Sequence, residues 1–320
     1  MRVLFMGSPA PVIPVISKLI ELDQSRKIEF AGVISQPPRP AGRKRLLTDP
    51  PVAVFSKEAG LVTWQPVRAS SEEFLNELAK IKPDVIITAA YGQILSDNFI
   101  ASANRAVINI HPSILPKYRG ATPIQAALLN GDSETGVTIL FTVKKLDAGN
   151  IISIHNSDIE ELETAESLLE RMFKIGADGI TEALEKLGNS EFAGEPQDET
   201  KVTQCAKFSK SDGEIDWNQS AATILNRYQA FTPWPGIFTS LAGERISITK
   251  LDPISTEPSQ NINGAFWFDK PTNLIMVQTA DGVIRISELK PAGKKAMDAA
   301  AFINGFARKY SAKTFGGLSS

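Results

Sequence analysis

An amide, an imidazole and a carboxylate are spaced in this sequence so that together they could carry out acyl transfer. Asn109 and His111 follow the apolar run 106–108 with one residue between them, and Asp147 follows a second apolar run, 137–143. The first run predicts a buried strand, and the active sites of α/β proteins lie at strand ends. An amide and an imidazole can polarise a carbonyl and stabilise its oxyanion. A carboxylate can orient the imidazole and manage protons.

The two histidines of the chain favour different interpretations. His155 ends the pattern of an ordinary strand, 151–155, which is typical of a structural or exposed histidine. His111 precedes Pro112, which favours an extended backbone, and it opens a proline-rich loop instead of lying within a periodic element. Because short motifs also match by chance, the spacing alone leaves both a catalytic and a structural role open for His111.

The first half of the sequence alternates between strand and helix patterns, and these elements must position the three groups. Strands are predicted at 3–6, 28–34 and 85–90, and helices at 12–22, at 50–59 and over the apolar spacing that ends at Ile81, the last with its cap within 70–73. The alternation favours a parallel, Rossmann-like sheet. Gly7 lacks the two further glycines of a dinucleotide-binding loop, so a dinucleotide site is not predicted.

The second half of the sequence changes character. Residues 160–187 have the apolar spacing of one long helix or two short ones, with Thr164 as a candidate cap, and a polar stretch follows. Beyond about residue 208, short apolar runs alternate with turn residues, which is typical of a small β-barrel. We therefore predict an α/β catalytic domain over 1–188, a linker over 189–207 and a β-barrel domain over 208–320.

Composition favours a soluble globular protein. At 320 residues and 42% hydrophobic content, the chain can form one large or two ordinary domains. No apolar run approaches the roughly 20 residues that a membrane span needs, and the start lacks a secretory pattern. The single cysteine, Cys205, excludes an internal disulfide, and the cysteine and two separated histidines give no zinc-binding spacing. We expect a cytoplasmic protein without a metal, and an inert Cys205.

Charge is unevenly distributed along the chain. The net charge is −2, but residues from 201 onward carry 14 Lys+Arg and 10 Asp+Glu, or +4, which leaves −6 on the first 200. A basic second half permits contact with nucleic acid without indicating it. The segment 39–45 has four cations, and Pro40 and Gly42 disfavour regular structure there. Such a run is usually a solvated surface; the alternative is a mobile loop that binds phosphates.

Longer motifs around these residues resemble the folate-dependent formyltransferases, and the resemblance covers nearly the whole chain. It is carried by NIHPSILPKYRGATPIQ (109–125), LDAGNI (146–151) and the segments 3–9, 35–43, 90–95, 213–217, 233–236 and 290–297. In one departure, this chain has Ala10-Pro11 where the family commonly has an acidic-aromatic pair. That departure weakens the transfer of substrate contacts to residues 10 and 11.

The resemblance implies a Rossmann-like catalytic domain, an OB-like barrel, and transfer of the formyl group of 10-formyltetrahydrofolate to an amine. Asn109 would hydrogen-bond the formyl oxygen, and His111 would stabilise the oxyanion and aid proton transfer. Asp147 would favour the charged imidazole and accept the amine proton through water. Neither a covalent enzyme intermediate nor a metal is required.

The resemblance also implies where the substrates bind. Folate is expected at two loops, formed by Ser113, Ile114, Leu115 and Pro116 and by Tyr91, Gly92, Ile94 and Leu95, with 143–147 as a further wall. In the branch that formylates methionyl initiator tRNA, the basic loop reaches the acceptor end. The implied tRNA contacts are therefore Arg39, Arg43, Lys44 and Arg45 in that loop, and Lys290, Lys294 and Lys295 on the barrel. A monomer is expected.

Other functions remain open alternatives. A formyltransferase that acts on a sugar-nucleotide amine, or a fragment of a formyltetrahydrofolate hydrolase, can share both domains. The basic loop and the segment PAGKKAM (291–297) disfavour these two. A tRNA-binding protein without activity is the alternative from another class, and the intact set of Asn109, His111 and Asp147 argues against it.

Overall fold

The computed structural model describes residues 1–42, 45–255, 262–309 and 314–316, with the backbone alone at 253–255. By their contacts these residues form two compact units. The first contains Met1–Pro123, Glu134–Asp158 and Leu168–Cys205, and the second contains Ile124–Ser133, Ile159–Ser167 and Ala206–Ser320. The predicted domains are contiguous in sequence, whereas two short internal segments group here with the second half. Most of the predicted linker, as far as Cys205, groups with the first.

The first half of the chain alternates between strands and helices, as its sequence pattern predicts. Its strands are β1 (Arg2–Gly7), β2 (Glu29–Ile34), β3 (Arg39–Ala41), β4 (Leu46–Thr48), β5 (Thr63–Trp64), β6 (Val85–Ala89), β7 (Ala106–His111), β8 (Arg119–Gly120), β9 (Glu134–Phe141), β10 (Ile151–Asp158) and β11 (Gln204–Cys205). Its helices are α1 (Ile13–Gln24), α2 (Pro51–Glu58), α3 (Glu72–Ile81), α4 (Asp97–Ile100), α5 (Pro123–Asn130) and α6 (Ala165–Gly188).

Seven of these strands form one sheet in the order β10-β9-β7-β6-β1-β2-β5. The five strands from β7 to β5 are parallel, while β9 and β10 are antiparallel to their neighbours. The continuously buried strands β1 and β6 lie at the centre, which is expected of a parallel sheet covered on both faces. The predicted, mostly parallel sheet is therefore confirmed.

The helix boundaries follow the local signals in the sequence. Ser71 precedes α3, and its hydroxyl accepts a hydrogen bond from the Phe74 amide at 3.4 Å. Proline occupies the first turn of α2, where a backbone N–H would have no partner within the helix, so its missing N–H costs nothing. Residues 165–188 form one helix of 24 residues, so the choice between one and two helices is settled in favour of one. The Thr164 hydroxyl accepts from the Ser167 amide, as expected of a cap.

The basic segment at 39–45 departs from its prediction. Strands β3 and β4 form a two-stranded antiparallel hairpin, with Pro40 opposite Leu47, so the expectation of irregular structure is wrong. A lone hairpin leaves half of its backbone groups unpaired, and proline is tolerated at such an edge. Gly42, at φ +67°, turns the chain at the tip. Arg43 and Lys44 lie outside the described residues.

The second unit is built around an antiparallel sheet. Its elements are α7 (Ala221–Phe231), β12 (Ile237–Leu241), β13 (Glu244–Ser255), β14 (Phe266–Asp269), β15 (Leu274–Gln278), β16 (Val283–Pro291), β17 (Met297–Asp298) and α8 (Ala299–Ala301), which continues as helical turns to Lys309. The strands follow the order β12-β13-β16-β15-β14, with β17 on β16. Three register shifts between β13 and β16 bend the sheet into a half-barrel. In the parts of the chain that the structure describes, no helix is long and apolar enough to span a membrane.

Candidate active site

Asn109, His111 and Asp147 come together at the end of β7. Asn109 and His111 are two residues apart on this strand, so their side chains share a face of the sheet. His111 is the last residue of β7, whereas the sequence places it in the following loop. Asp147 returns to this point from the loop between β9 and β10. Its Oδ1 lies 3.3 Å from Asn109 Nδ2, and its Oδ2 lies 3.6 Å from His111 Nδ1.

The His111 ring is buried and has an oxygen facing each nitrogen. Nε2 lies 3.0 Å from the carbonyl oxygen of Tyr118, and Nδ1 faces Asp147. A carbonyl only accepts, so Nε2 carries a proton. The distance of 3.6 Å from Nδ1 to Asp147 Oδ2 is too long for a hydrogen bond. Nδ1 is therefore less committed to a partner than Nε2.

The Asn109 amide is oriented from the neighbouring strand. Thr88, near the end of β6, pairs with Asn109 in the sheet, and its hydroxyl lies 2.8 Å from Asn109 Oδ1. Because the hydroxyl donates to Oδ1, the amide nitrogen is directed toward Asp147. One of its two protons serves Asp147, and the other remains for a substrate oxygen.

The loop that carries Asp147 is shaped by two close backbone approaches. Asp147 has φ +51°, and its Oδ2 accepts from the Gly120 amide at 2.9 Å. A Cβ on Gly120 would lie 2.3 Å from the Cys205 carbonyl oxygen, and one on Gly149 would lie 1.8 Å from that of Phe141. Glycine at both positions therefore lets the loop fold back onto the strand.

A buried arginine and a glutamine support the same loop. Gln197 Nε2 donates to the carbonyl oxygens of Asp147 and Gly149, at 2.9 and 2.8 Å. Gln197 Oε1 accepts from Arg119 Nη2 at 2.7 Å, and the same nitrogen donates to Glu199 at 2.7 Å. Arg119 and Lys145 hold the pKa of Glu199 at about 2, mainly through these hydrogen bonds. The sequence gives Gln197 no signal, because it lies in a polar stretch that reads as a linker.

The first predicted folate loop is largely a structural turn. Ser113 is fully buried, and its hydroxyl donates to the Lys117 carbonyl at 2.8 Å. The side chain of Leu115 is buried as well, while Ile114 and Pro116 are partly exposed. The side chains of Ser113 and Leu115 are therefore used within the fold, and the outer surface of this loop comes from Ile114 and Pro116.

The second predicted folate loop exposes a different set of groups than expected. The Tyr91 ring is in the hydrophobic core, and burial raises the pKa of its phenol to about 12, so this ring does not line a surface. Leu95 packs against the same core. Gly92 is exposed, and Ile94 is 92% exposed. Across from them, Val143 and Leu146 are exposed apolar residues on the Asp147 loop, which a Lys144–Asp97 ion pair of 3.3 Å ties to this region.

The cations proposed for tRNA lie on the hairpin of the first unit and on the sheet of the second. Arg39 is held at the base of the hairpin, where its Nη2 donates to Gln36 Oε1 at 2.6 Å. Gln36 in turn donates to the Tyr91 carbonyl at 2.7 Å. Arg45 is exposed at the tip. In the second unit, Lys290 lies on β16, and Lys294 and Lys295 lie in the turn after it, all three exposed.

Cys205 is half-buried beside the site. Its thiol lies 3.4 Å from the Tyr118 carbonyl oxygen, and burial raises the pKa of the thiol. A raised pKa lowers the thiolate fraction, which fits the expected lack of reactivity. Within the described ranges, no group of three or more His, Cys, Asp or Glu residues is arranged to hold a metal.

The site and the fold agree with one class of protein, in which an amide, an imidazole and a carboxylate at a strand end act on an acyl group. Family models described as formyl transferase and as formyl transferase, C-terminal domain, match residues 1–184 and 207–307. The chain belongs to the formyl transferase family.

Relatives support this assignment, and a solved structure shares the fold. The chain is 35% identical to the methionyl-tRNA formyltransferase of Listeria monocytogenes serotype 4a, over 98% of both chains. It is 37% identical to that of Caldicellulosiruptor saccharolyticus, over 96% of this chain and 97% of the relative. Its fold is similar to that of WlaRD, a sugar 3N-formyl transferase, with a TM-score of 0.65 at 18% identity, over 92% of this chain and 99% of that one.

A second solved structure is similar in fold over only part of its length. HypX from Aquifex aeolicus, in complex with tetrahydrofolic acid, gives a TM-score of 0.65 at 17% identity. The match covers 99% of this chain and 51% of HypX, so the chain spans about half of that protein.

Proposed function

We propose that this protein transfers the formyl group of 10-formyltetrahydrofolate to the free amino group of methionyl initiator tRNA. The carrying observation is the buried cluster of Asn109, His111 and Asp147 in a chain of the formyl transferase family. Both relatives described above are named methionyl-tRNA formyltransferase and match nearly end to end. The product would be N-formylmethionyl-tRNA, the substrate of translation initiation.

Each member of the cluster has a role that its contacts support. The formyl oxygen lies against the second Nδ2 proton of Asn109 and beside the His111 ring, which together stabilise the charge that develops on it. The methionyl amine attacks the formyl carbon, and Asp147 accepts the amine proton through water. The folate nitrogen leaves with the electron pair of the broken C–N bond and takes up, through water, the proton that the amine gave to Asp147. No covalent bond to the enzyme forms.

The folate is proposed to lie between the 91–95 loop and the Asp147 loop. Ile94, Val143 and Leu146 are exposed apolar side chains of the kind that cover a flat ring. Exposed backbone near Gly92 can pair with the polar edge of a pterin. Tyr91, Ser113 and Leu115 contribute through the backbone, since their side chains are buried. WlaRD and HypX were each determined with a folate present.

The tRNA is proposed to contact the hairpin formed by β3 and β4. Leu46 and Leu47, 64% and 74% exposed, follow the cations Arg43, Lys44 and Arg45 directly in the sequence. Cations that pair with phosphates, next to apolar groups that pack on bases, suit an acceptor stem. Lys290, Lys294 and Lys295 are proposed as further phosphate contacts. Arg39 serves the hairpin itself, because its guanidinium is bound to Gln36.

One set of parallel acceptor assays decides between this function and its alternatives. The purified protein is supplied with 10-formyltetrahydrofolate and, in parallel, with methionyl initiator tRNA, free methionine or a sugar-nucleotide amine. We expect formylation of the charged tRNA alone. Formylation of the sugar would identify the sugar branch, release of formate without an acceptor would identify a hydrolase, and tRNA binding without folate turnover would identify an inactive binding protein.

We further propose a cytoplasmic monomer. Initiator tRNA is aminoacylated in the cytoplasm, and the cluster draws all of its groups from one chain. Cell fractionation and sedimentation at several protein concentrations test the two statements separately. A membrane-pellet location, or a mass that doubles with concentration, would contradict them.

A further inference from the structure

Gln197 joins the Asp147 loop to the segment after α6, beside the exposed Lys145–Glu199 ion pair of 2.8 Å. Its amide nitrogen donates to two backbone carbonyls, of Asp147 at 2.9 Å and Gly149 at 2.8 Å. These bonds bracket Ala148, so they fix the backbone on both sides of the turn. They act on the same residue whose carboxylate meets Asn109 and His111.

The orientation of the Gln197 amide is set by its partners on both sides. Arg119 can only donate, and its Nε and Nη2 lie 3.0 and 2.7 Å from Gln197 Oε1. The carbonyls of the Asp147 loop can only accept, so they must face the nitrogen. Arg119 is itself buried, at 3% exposure, and its guanidinium is fixed further by Glu199. The glutamine is thus clamped between a rigid cation and the catalytic loop.

We propose that Gln197 is a positioning residue, which holds Asp147 at the distance and angle from His111 and Asn109 that the reaction needs. The proposal rests on the function proposed above. Asp147 needs such support because it has φ +51°, a conformation that side-chain-bearing residues rarely adopt without surrounding contacts. A displacement of about 1 Å at a reacting group can cost about 100-fold in rate.

The substitution Gln197→Glu tests this directly. Glutamate is isosteric and still accepts from Arg119, but it cannot donate to the two carbonyls and places an oxygen against them. We expect kcat to fall on the order of 10- to 100-fold, with little change in KM for folate or tRNA. Gln197→Ala removes the same bonds without adding a charge, and it should lower kcat as well. Gln24→Glu, at the exposed end of α1, makes the same charge change outside this network and should leave kcat unchanged.

A second readout does not depend on activity. The chain has two histidines, so the ring signals of His111 and His155 in a ¹H–¹⁵N spectrum are assigned with one His155→Gln variant. Without substrate, Gln197→Glu should shift the His111 signals and leave those of His155 in place, while Gln24→Glu shifts neither. If the His111 signals are unmoved and kcat is normal, Gln197 has no positioning role. If the unchanged protein formylates no acceptor, the proposed function fails, while the spectra still decide whether Gln197 positions the loop.

Discussion

His111 is buried between two oxygens that belong to other parts of the chain, the Tyr118 carbonyl and the Asp147 carboxylate. We expect His111→Ala to lower kcat by about 100- to 1,000-fold, the usual loss for one oxyanion-stabilising group. His155→Gln is the matched control, because His155 lies on β10 with Ser153 as its hydrogen-bond partner. Steady-state rates of both variants, with circular dichroism to verify folding, make the comparison. Equal activity of the two variants would remove His111 from the reaction.

Asp147 offers a second prediction at this scale, and its backbone decides which substitution is informative. At φ +51°, alanine would add strain, whereas asparagine adopts this conformation readily. Asp147→Asn keeps the shape and removes the charge that faces His111. We expect a strong fall in kcat, a changed pH–rate profile and a melting temperature close to that of the unchanged protein. A pH–rate profile identical to the original would mean that Asp147 and His111 are not coupled.

The residues of the cluster were predictable because their signal is local. Asn109 and His111 lie in one motif next to a strand pattern, and Asp147 lies in a second motif. The residues that support the cluster were not predictable, because their contacts are distant in sequence. Gln197, for example, is 50 residues from Asp147. Tyr91 is predicted as a wall of the site, and its ring packs in the core. A strand-end aromatic can face either way, and the pattern does not say which.

At the scale of elements, the β3–β4 hairpin carries the tRNA prediction. Replacing Arg43, Lys44 and Arg45 together by glutamine should weaken tRNA use far more than folate use. Each lost phosphate contact should reduce the log–log salt dependence of binding by about 0.9 or less. If the hairpin also places the acceptor end, turnover at saturating tRNA falls too.

Two measurements separate these roles: tRNA affinity across a salt series, and turnover at saturating tRNA. A lower salt slope with normal turnover would mean that the hairpin attracts tRNA without positioning it. An unchanged slope and unchanged turnover would make the run a solvated surface. Lys290, Lys294 and Lys295, replaced by glutamine, form a comparison set of the same size and charge.

The segment between α6 and β11 carries a pH prediction. Arg119 and Lys145 lower the pKa of Glu199 from 4.5 to about 2. The pairing therefore stabilises the fold fully at a pH above the pKa of Glu199 in the unfolded chain. This stabilisation is lost as the pH falls toward the lower pKa of Glu199 in the folded chain. Because Glu199 is exposed, solvent screening keeps the contribution small. The melting temperature of Glu199→Gln should lie below that of the unchanged protein near pH 7. The gap should narrow below about pH 4.5. A gap that widens on acidification would contradict the pairing.

Across the whole molecule, the sequence predicted the order of the elements better than the grouping of the segments. The alternation of strands and helices, and the later run of short strands, depend on local periodicity and were confirmed. The grouping of 124–133 and 159–167 with the second half depends on contacts between distant segments, which periodicity does not report. The same limit applies to 189–205, whose polar composition resembles a linker but whose residues pair with β8 and the Asp147 loop.

The pairing of residues 189–205 with β8 and the Asp147 loop determines where the halves of related chains can be exchanged. A recombinant joined at residue 188 would take residues 189–205 from another protein, so the partners of Arg119, Gly120 and Asp147 would come from a different parent than these residues themselves. A junction just after Cys205 keeps each donor with its acceptor. We expect recombinants joined after Cys205 to retain turnover and those joined at residue 188 to lose it. Turnover is measured on a set of recombinants that all have the same relative as their second parent. Equal activity at both junctions would mean that this segment is interchangeable after all.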